Sequence, residues 1–177
     1  TNGVVAYGII MYVGFIFVGT YMGYAVGSAP VISYHYGAGN KDELKNLFKR
    51  SLTIIIVSSV VMTLIAEIIA GYLAGIFVSY DNNLLELTTE AIRIYAVSYL
   101  ISGVNIFASS FFTALNNGVV SAVISFMRMF VFQIVMILLL PVVLGISGIW
   151  TAVIAAEVLS VVISVMFLVK NRKKYSY

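Results

Sequence analysis

Seven residues in otherwise apolar segments could do chemistry: Glu67, Asn105, Met127, Arg128, Met129, Gln133 and Glu157. An ionised side chain in a long apolar segment is expensive to bury, so each charged member is a candidate for ion or substrate handling. Arg128 and Glu157 are the pair with opposite signs. If helices begin near Val119 and end near Val169, Arg128 lies about 14 Å from one end of its helix and Glu157 about 18 Å from the same end. At that common depth a salt bridge between neighbouring helices is possible, either as a structural clamp or as part of a proton or cation relay. Glu67 has no partner at its depth, and an aqueous cavity or a bound proton would relieve it. Asn105 and Gln133 are amides able to hydrogen-bond between helices. Met127, Met129 and Met136, with Phe107, Phe111, Phe112, Phe126, Phe130 and Phe132, suit an adaptable apolar lining or ordinary core packing. Glu90 and Arg93, three residues apart, are expected to pair at a membrane interface.

Enzyme chemistry finds no support. The motifs HExxH and GxSxG, a Walker loop and a paired acidic motif at a membrane face are all absent, so no catalytic residues are assigned. The single histidine, His35, cannot build a metal site, and without cysteine no disulfide or thiolate zinc site exists. Neither a metal nor an organic cofactor is expected.

Composition identifies the solvent around these residues. Hydrophobic residues make up 62% and charged residues 10% of the 177, too few charges to cover a soluble surface. Turn material at GAGNKDE, SYDNN, NNG and GISG divides the chain into five expected spans, at about 3–36, 47–78, 89–115, 119–143 and 148–169, followed by a tail at 170–177. The expected fold is therefore all-α, a multi-pass helix bundle whose first partner is the lipid bilayer.

Lys41, Lys45, Lys49 and Arg50 beside the first turn, and Lys170, Arg172, Lys173 and Lys174 after the last span, fall on one side of a five-span chain. That side, including the carboxyl terminus, is expected to be cytoplasmic. The net charge of +3 thus reports membrane orientation and gives no reason to expect a nucleic-acid partner. Within 41–51, leucines and Phe48 alternate with charges as in a helix lying on a membrane before turning into it. Gly19, Gly23 and Gly27 form a stripe that suits close helix packing, within the bundle in preference to a dimerisation face. Pro30 is expected to loosen the end of the first helix. The chain starts at Thr1 with no basic leader and is already apolar at Val4, which reads as a piece of a longer protein.

The order of motifs then resembles a known family. A glycine-rich helix leads through SYHYGAGNKDELKNLFKRS to EAIRIYAVSYLISGVNIFASSFFTALNNG, SFMRMFVFQIVMILLLP and GISGIWTAVIAAEVLS. This is similar to the carboxyl-terminal lobe of multidrug and toxic compound extrusion (MATE) transporters, from the eighth to the twelfth helix. Gly37 and Ala38, Arg128, Gly148, Ile149, Trp150 and Glu157 carry the resemblance.

It implies five of the six helices of one lobe, with the amino-terminal lobe of the same polypeptide as partner. It further implies export of small amphipathic or cationic drugs across the cell membrane in exchange for Na⁺ or H⁺. Asn105, Met127, Arg128, Met129, Gln133 and Glu157 would be cavity candidates, and Glu157 and Glu67 coupling-ion candidates. Some members carry an acidic residue in the helix matching 94–115; this chain has none there, which implies a main cation site in the absent lobe. Alternatives are a lipid-linked oligosaccharide flippase of the same superfamily and a membrane assembly subunit without transport.

Overall fold

A computed structural model describes residues 2–177 and consists of helices joined by very short turns. Helix α1 runs Asn2–Gly37, α2 Lys41–Val78 and α3 Asn82–Ala114. Next come α4 (Gly118–Phe126), a π-helical segment (Met127–Phe132) and α5 (Gln133–Leu144), which together form one continuous rod, and then α6 (Ile146–Tyr175). The rod and the four other long helices are each long and apolar enough to cross a bilayer.

Local chemistry explains the turns. After α1, Gly39 takes a left-handed φ of 69°, while Asn40 N–H donates to the His35 carbonyl and Gly39 N–H to that of Tyr36. This paired closure ends a helix without stranding its last carbonyls. Asn116, at φ 58°, repeats the device after α3, and Asn117 then caps α4 through the Val120 N–H. Asp81 caps α3 by accepting from the N–H groups of Asn83 and Leu84. Gly145 joins α5 to α6 at φ 62° and ψ −139°, a conformation open essentially only to glycine.

These caps lengthen several helices relative to the sequence expectation. Helix α2 starts at Lys41, not near 47: Asn40 accepts from the Glu43 N–H and Leu44 is buried. The basic segment is thus the first turns of a continuous 38-residue helix and not a separate surface helix. Asp81 similarly starts α3 before 89, and α6 continues beyond 169 because Tyr175 and Tyr177 are buried. Pro30 lies inside an unbroken α1. The glycine stripe is also a correction, since Gly19, Gly23 and Gly27 face outward and a methyl group added at any of them would meet nothing within 4 Å. Its face packs on no described residue of the bundle.

Helix α3 is the central post, packed by α1, α2, α4 and α6. Polar side chains pin these neighbours, as expected where no hydrophobic force drives apolar helices together. Tyr21 donates to the Tyr99 carbonyl at 3.0 Å, Ser33 to that of Ala114 at 2.9 Å and Thr63 to that of Ala96 at 3.3 Å. Ser109 bonds Ser121 at 3.0 Å and Ser125 at 2.7 Å, tying α4 to α3. Phe107, Phe111 and Phe112 are fully buried, so these three phenylalanines are core.

The α1–α2 turn, the Asn116–Asn117 turn and the end of α6 meet at one end of the bundle. Asn117 donates to the Tyr175 hydroxyl at 2.9 Å, and the Tyr36 and Tyr175 rings lie 5.6 Å apart. Both lysine-rich segments therefore occupy that end. The outer surface is apolar, with Ile16, Ile68, Leu138, Val142 and Val143 among the exposed residues, as a lipid-facing surface must be.

Candidate functional site

The π-helical segment Met127–Phe132 places Arg128. A π turn spreads one extra residue into the helix and shifts the facing of all that follow. Here Phe126 and Phe130 stack on the outside with ring centroids 5.3 Å apart, while Arg128 turns inward, partly buried. Its Nε donates to both carboxylate oxygens of Glu157, at 2.9 and 3.1 Å, and its Nη2 lies 2.8 Å from Oε1. Charge-assisted bonds of this forked kind are strong and directional.

Glu157 is 7% exposed and has a second partner in fully buried Asn105. The Asn105 amide nitrogen donates to Glu157 Oε2 at 2.7 Å and to the Glu157 main-chain carbonyl at 3.2 Å. Its own carbonyl oxygen accepts from Ser164 at 2.8 Å. One network thus joins α3, the π-helical segment and α6, with each buried polar group in it paired.

Arg128 and Glu157 form part of the wall of a cavity of about 350 Å³, between α1, α3, the rod and α6, while Asn105 and Ser164 are fully buried and not among the residues that line it. Gln133 and Met129 also line it, together with Met11, Phe15 and Val18 from α1. A carboxylate held by a guanidinium and an amide beside such a space can exchange partners when a proton or cation reaches it. The arrangement suits ion or ligand handling.

The seven sequence candidates separate here. Asn105, Arg128 and Glu157 bond directly, Gln133 and Met129 line the same cavity, and Met127 and Glu67 do not reach it. Glu67 is partly buried on α2, with no hydrogen bond or ion pair among the described residues. Phe126 and Phe130 face outward. Glu90 and Arg93 do not form the expected pair: Arg128–Glu157 is the only ion pair within 4.0 Å among the described residues, although both line a shallow groove with Asn83 and Glu86. His35 sits in the last turn of α1, edge-on to Tyr34 at 5.2 Å.

Two contributors escaped the sequence reading. Tyr95 and Tyr99 line the cavity from α3 beside Ser98 and Ser102, and the Tyr99 hydroxyl is buried without a hydrogen-bond partner. A Cβ at Gly14 would stand 2.5 Å from that hydroxyl, so glycine leaves room for the ring. The spacing 95, 98, 99, 102 marks one helix face, the signal that could have found them.

Comparison with known proteins places this geometry in context. The MatE family profile matches residues 1–139. The Vibrio cholerae MATE transporter VcmN in its bent form superposes with a TM-score of 0.90 at 18% identity, over 99% of this chain and 40% of VcmN. An outward-facing multidrug resistance MATE family transporter of the MOP superfamily gives 0.91 at 16% identity, over 98% of this chain and 39% of that one. An inward-facing transporter of the same description gives 0.82 at 17% identity, over 96% and 39%. The chain therefore spans about two fifths of the solved transporters it resembles in fold. No curated protein is significantly similar to it in sequence.

Proposed function

Because this chain belongs to the MatE family, whose members are membrane transporters and not enzymes, we propose that it is the second-lobe portion of a cation-coupled multidrug efflux antiporter. The complete protein would export small amphipathic, often cationic compounds in exchange for Na⁺ or H⁺ by rocking one lobe against the other. One observation carries the reading: a satisfied Arg128–Glu157–Asn105 network lies within the span and borders a cavity. Intramembrane charge in that setting is expected on ion and substrate pathways.

In this reading Glu157 exchanges Arg128 for a proton or cation during the cycle, and Asn105 keeps the carboxylate aimed as it does so. Met129, Gln133, Tyr95 and Tyr99 form the wall that meets substrate. Glu67 stays a weaker coupling candidate and Met127 a packing residue. The main cation site belongs to the other lobe of the polypeptide. The flippase alternative draws no support here, since Arg128 is already neutralised by Glu157 and offers a pyrophosphate little.

The test is drug-dependent flux in vesicles containing the complete protein. Imposed Na⁺ or H⁺ gradients should drive uptake of a cationic dye, and Glu157→Gln should reduce it by about tenfold or more, the loss of one coupling interaction of about 1–3 kcal/mol. Undiminished flux in that variant would remove Glu157 from the mechanism.

A further inference from the structure

The end of the bundle that gathers both basic segments contains a second cavity, of about 250 Å³, lined by Lys45, Phe48, Lys49, Leu168, Val169, Arg172 and Tyr177. Three cations from two helices converge there, and no aspartate or glutamate side chain lines it. Asp42 and Glu43 lie in the first turn of α2 but do not reach it. None of the three cations has an aspartate or glutamate partner within 4.0 Å among the described residues. Arg172 Nε donates at 3.3 Å to a main-chain oxygen of Tyr177, the last residue of the sequence, leaving its other nitrogens open.

The rest of the lining is apolar and packed ring against ring. Phe48 packs at a tilt against Phe111 at 4.9 Å and Tyr177 at 4.7 Å, and the Tyr177 hydroxyl donates to the Leu168 carbonyl at 2.8 Å. Burial pushes the Tyr177 phenol above its usual range, so the lining keeps its positive charge. Helices α2 and α6 do not pack together along their lengths, which leaves a groove between them at this end.

We propose that this cavity binds one anionic phospholipid, with its phosphate held by Lys45, Lys49 and Arg172 and the start of an acyl chain laid on Phe48, Leu168 and Val169. Charge complementarity selects the headgroup: basic pockets between membrane helices hold anionic lipids in this way. The apolar floor selects a lipid over a free anion, which would gain nothing from it. The site is independent of drug transport and stands or falls by itself.

Native mass spectrometry of the complete, detergent-purified transporter tests it, with phosphatidylglycerol, phosphatidylcholine and inorganic phosphate as probes. One phosphatidylglycerol should be retained in preference to phosphatidylcholine, and each cation neutralised should weaken it by about fivefold. The triple variant Lys45→Gln/Lys49→Gln/Arg172→Gln should lose the preference. Lys170→Gln/Lys173→Gln, at exposed cations outside the cavity, should keep it. Equal retention of the two lipids, equal loss in the control variant, or displacement by millimolar phosphate would each overturn the proposal.

Discussion

At the scale of single residues, the Arg128–Glu157 pair can be separated into a structural and a functional part. Removing one partner of a buried pair leaves a charge without compensation, whereas removing both does not. Arg128→Leu should therefore lower the stability of the complete protein by about 3–5 kcal/mol, and Arg128→Leu/Glu157→Leu should recover most of that loss. Thermal unfolding in detergent measures both. A double variant that is stable but inactive assigns the pair to transport, and one that is stable and active makes it a clamp. The pair itself was legible from sequence because depth along a helix follows from counting residues. Tyr95 and Tyr99 were not, since tyrosines four apart in an apolar helix look the same whether they meet lipid, core or cavity. Neither was the absence of a Glu90–Arg93 pair, because helical spacing permits such a contact without requiring it.

At the scale of elements, the junction of α5 and α6 is where the chain has least freedom. A Cβ at Gly148 would stand 2.5 Å from the Leu140 carbonyl oxygen and 2.7 Å from the Pro141 nitrogen, backbone atoms that cannot swing aside. Gly148→Ala should cost about 1–3 kcal/mol by forcing the two helices apart. Gly75→Ala, where an added methyl meets nothing within 4 Å, should be neutral or slightly stabilising because alanine favours helix. Melting temperatures of the two variants side by side check this contrast. The breaks between helices were legible in glycine and asparagine content, and the caps at Asn40, Asp81 and Asn117 explain why helices extend further than hydropathy suggests. The π-helical segment was not legible. MRMFVF has no breaker, and its geometry accompanies the inward turn of Arg128 toward a partner distant in sequence. The stripe Gly19–Gly23–Gly27 teaches a related lesson: periodicity identifies a small face, while what covers it depends on neighbours that no periodicity names.

At the scale of the whole molecule, composition and charge pattern were sufficient to read a multi-pass bundle with both lysine-rich segments at one end. The structure brings those segments together through the Phe48–Tyr177 contact, and Asn117–Tyr175 ties the turn after α3 to the same end. The excess of lysine and arginine there predicts that this end faces the cytoplasm, and the direction of the transport proposed above depends on it. Since the chain contains no cysteine, single cysteines at Lys45→Cys and Lys173→Cys in the complete protein, any others removed, can report the answer. With a membrane-impermeant maleimide, both positions should label from the cytoplasmic face and neither from outside. Labelling of the two from opposite faces would contradict the five-span threading, and labelling of both from outside would reverse the direction of transport.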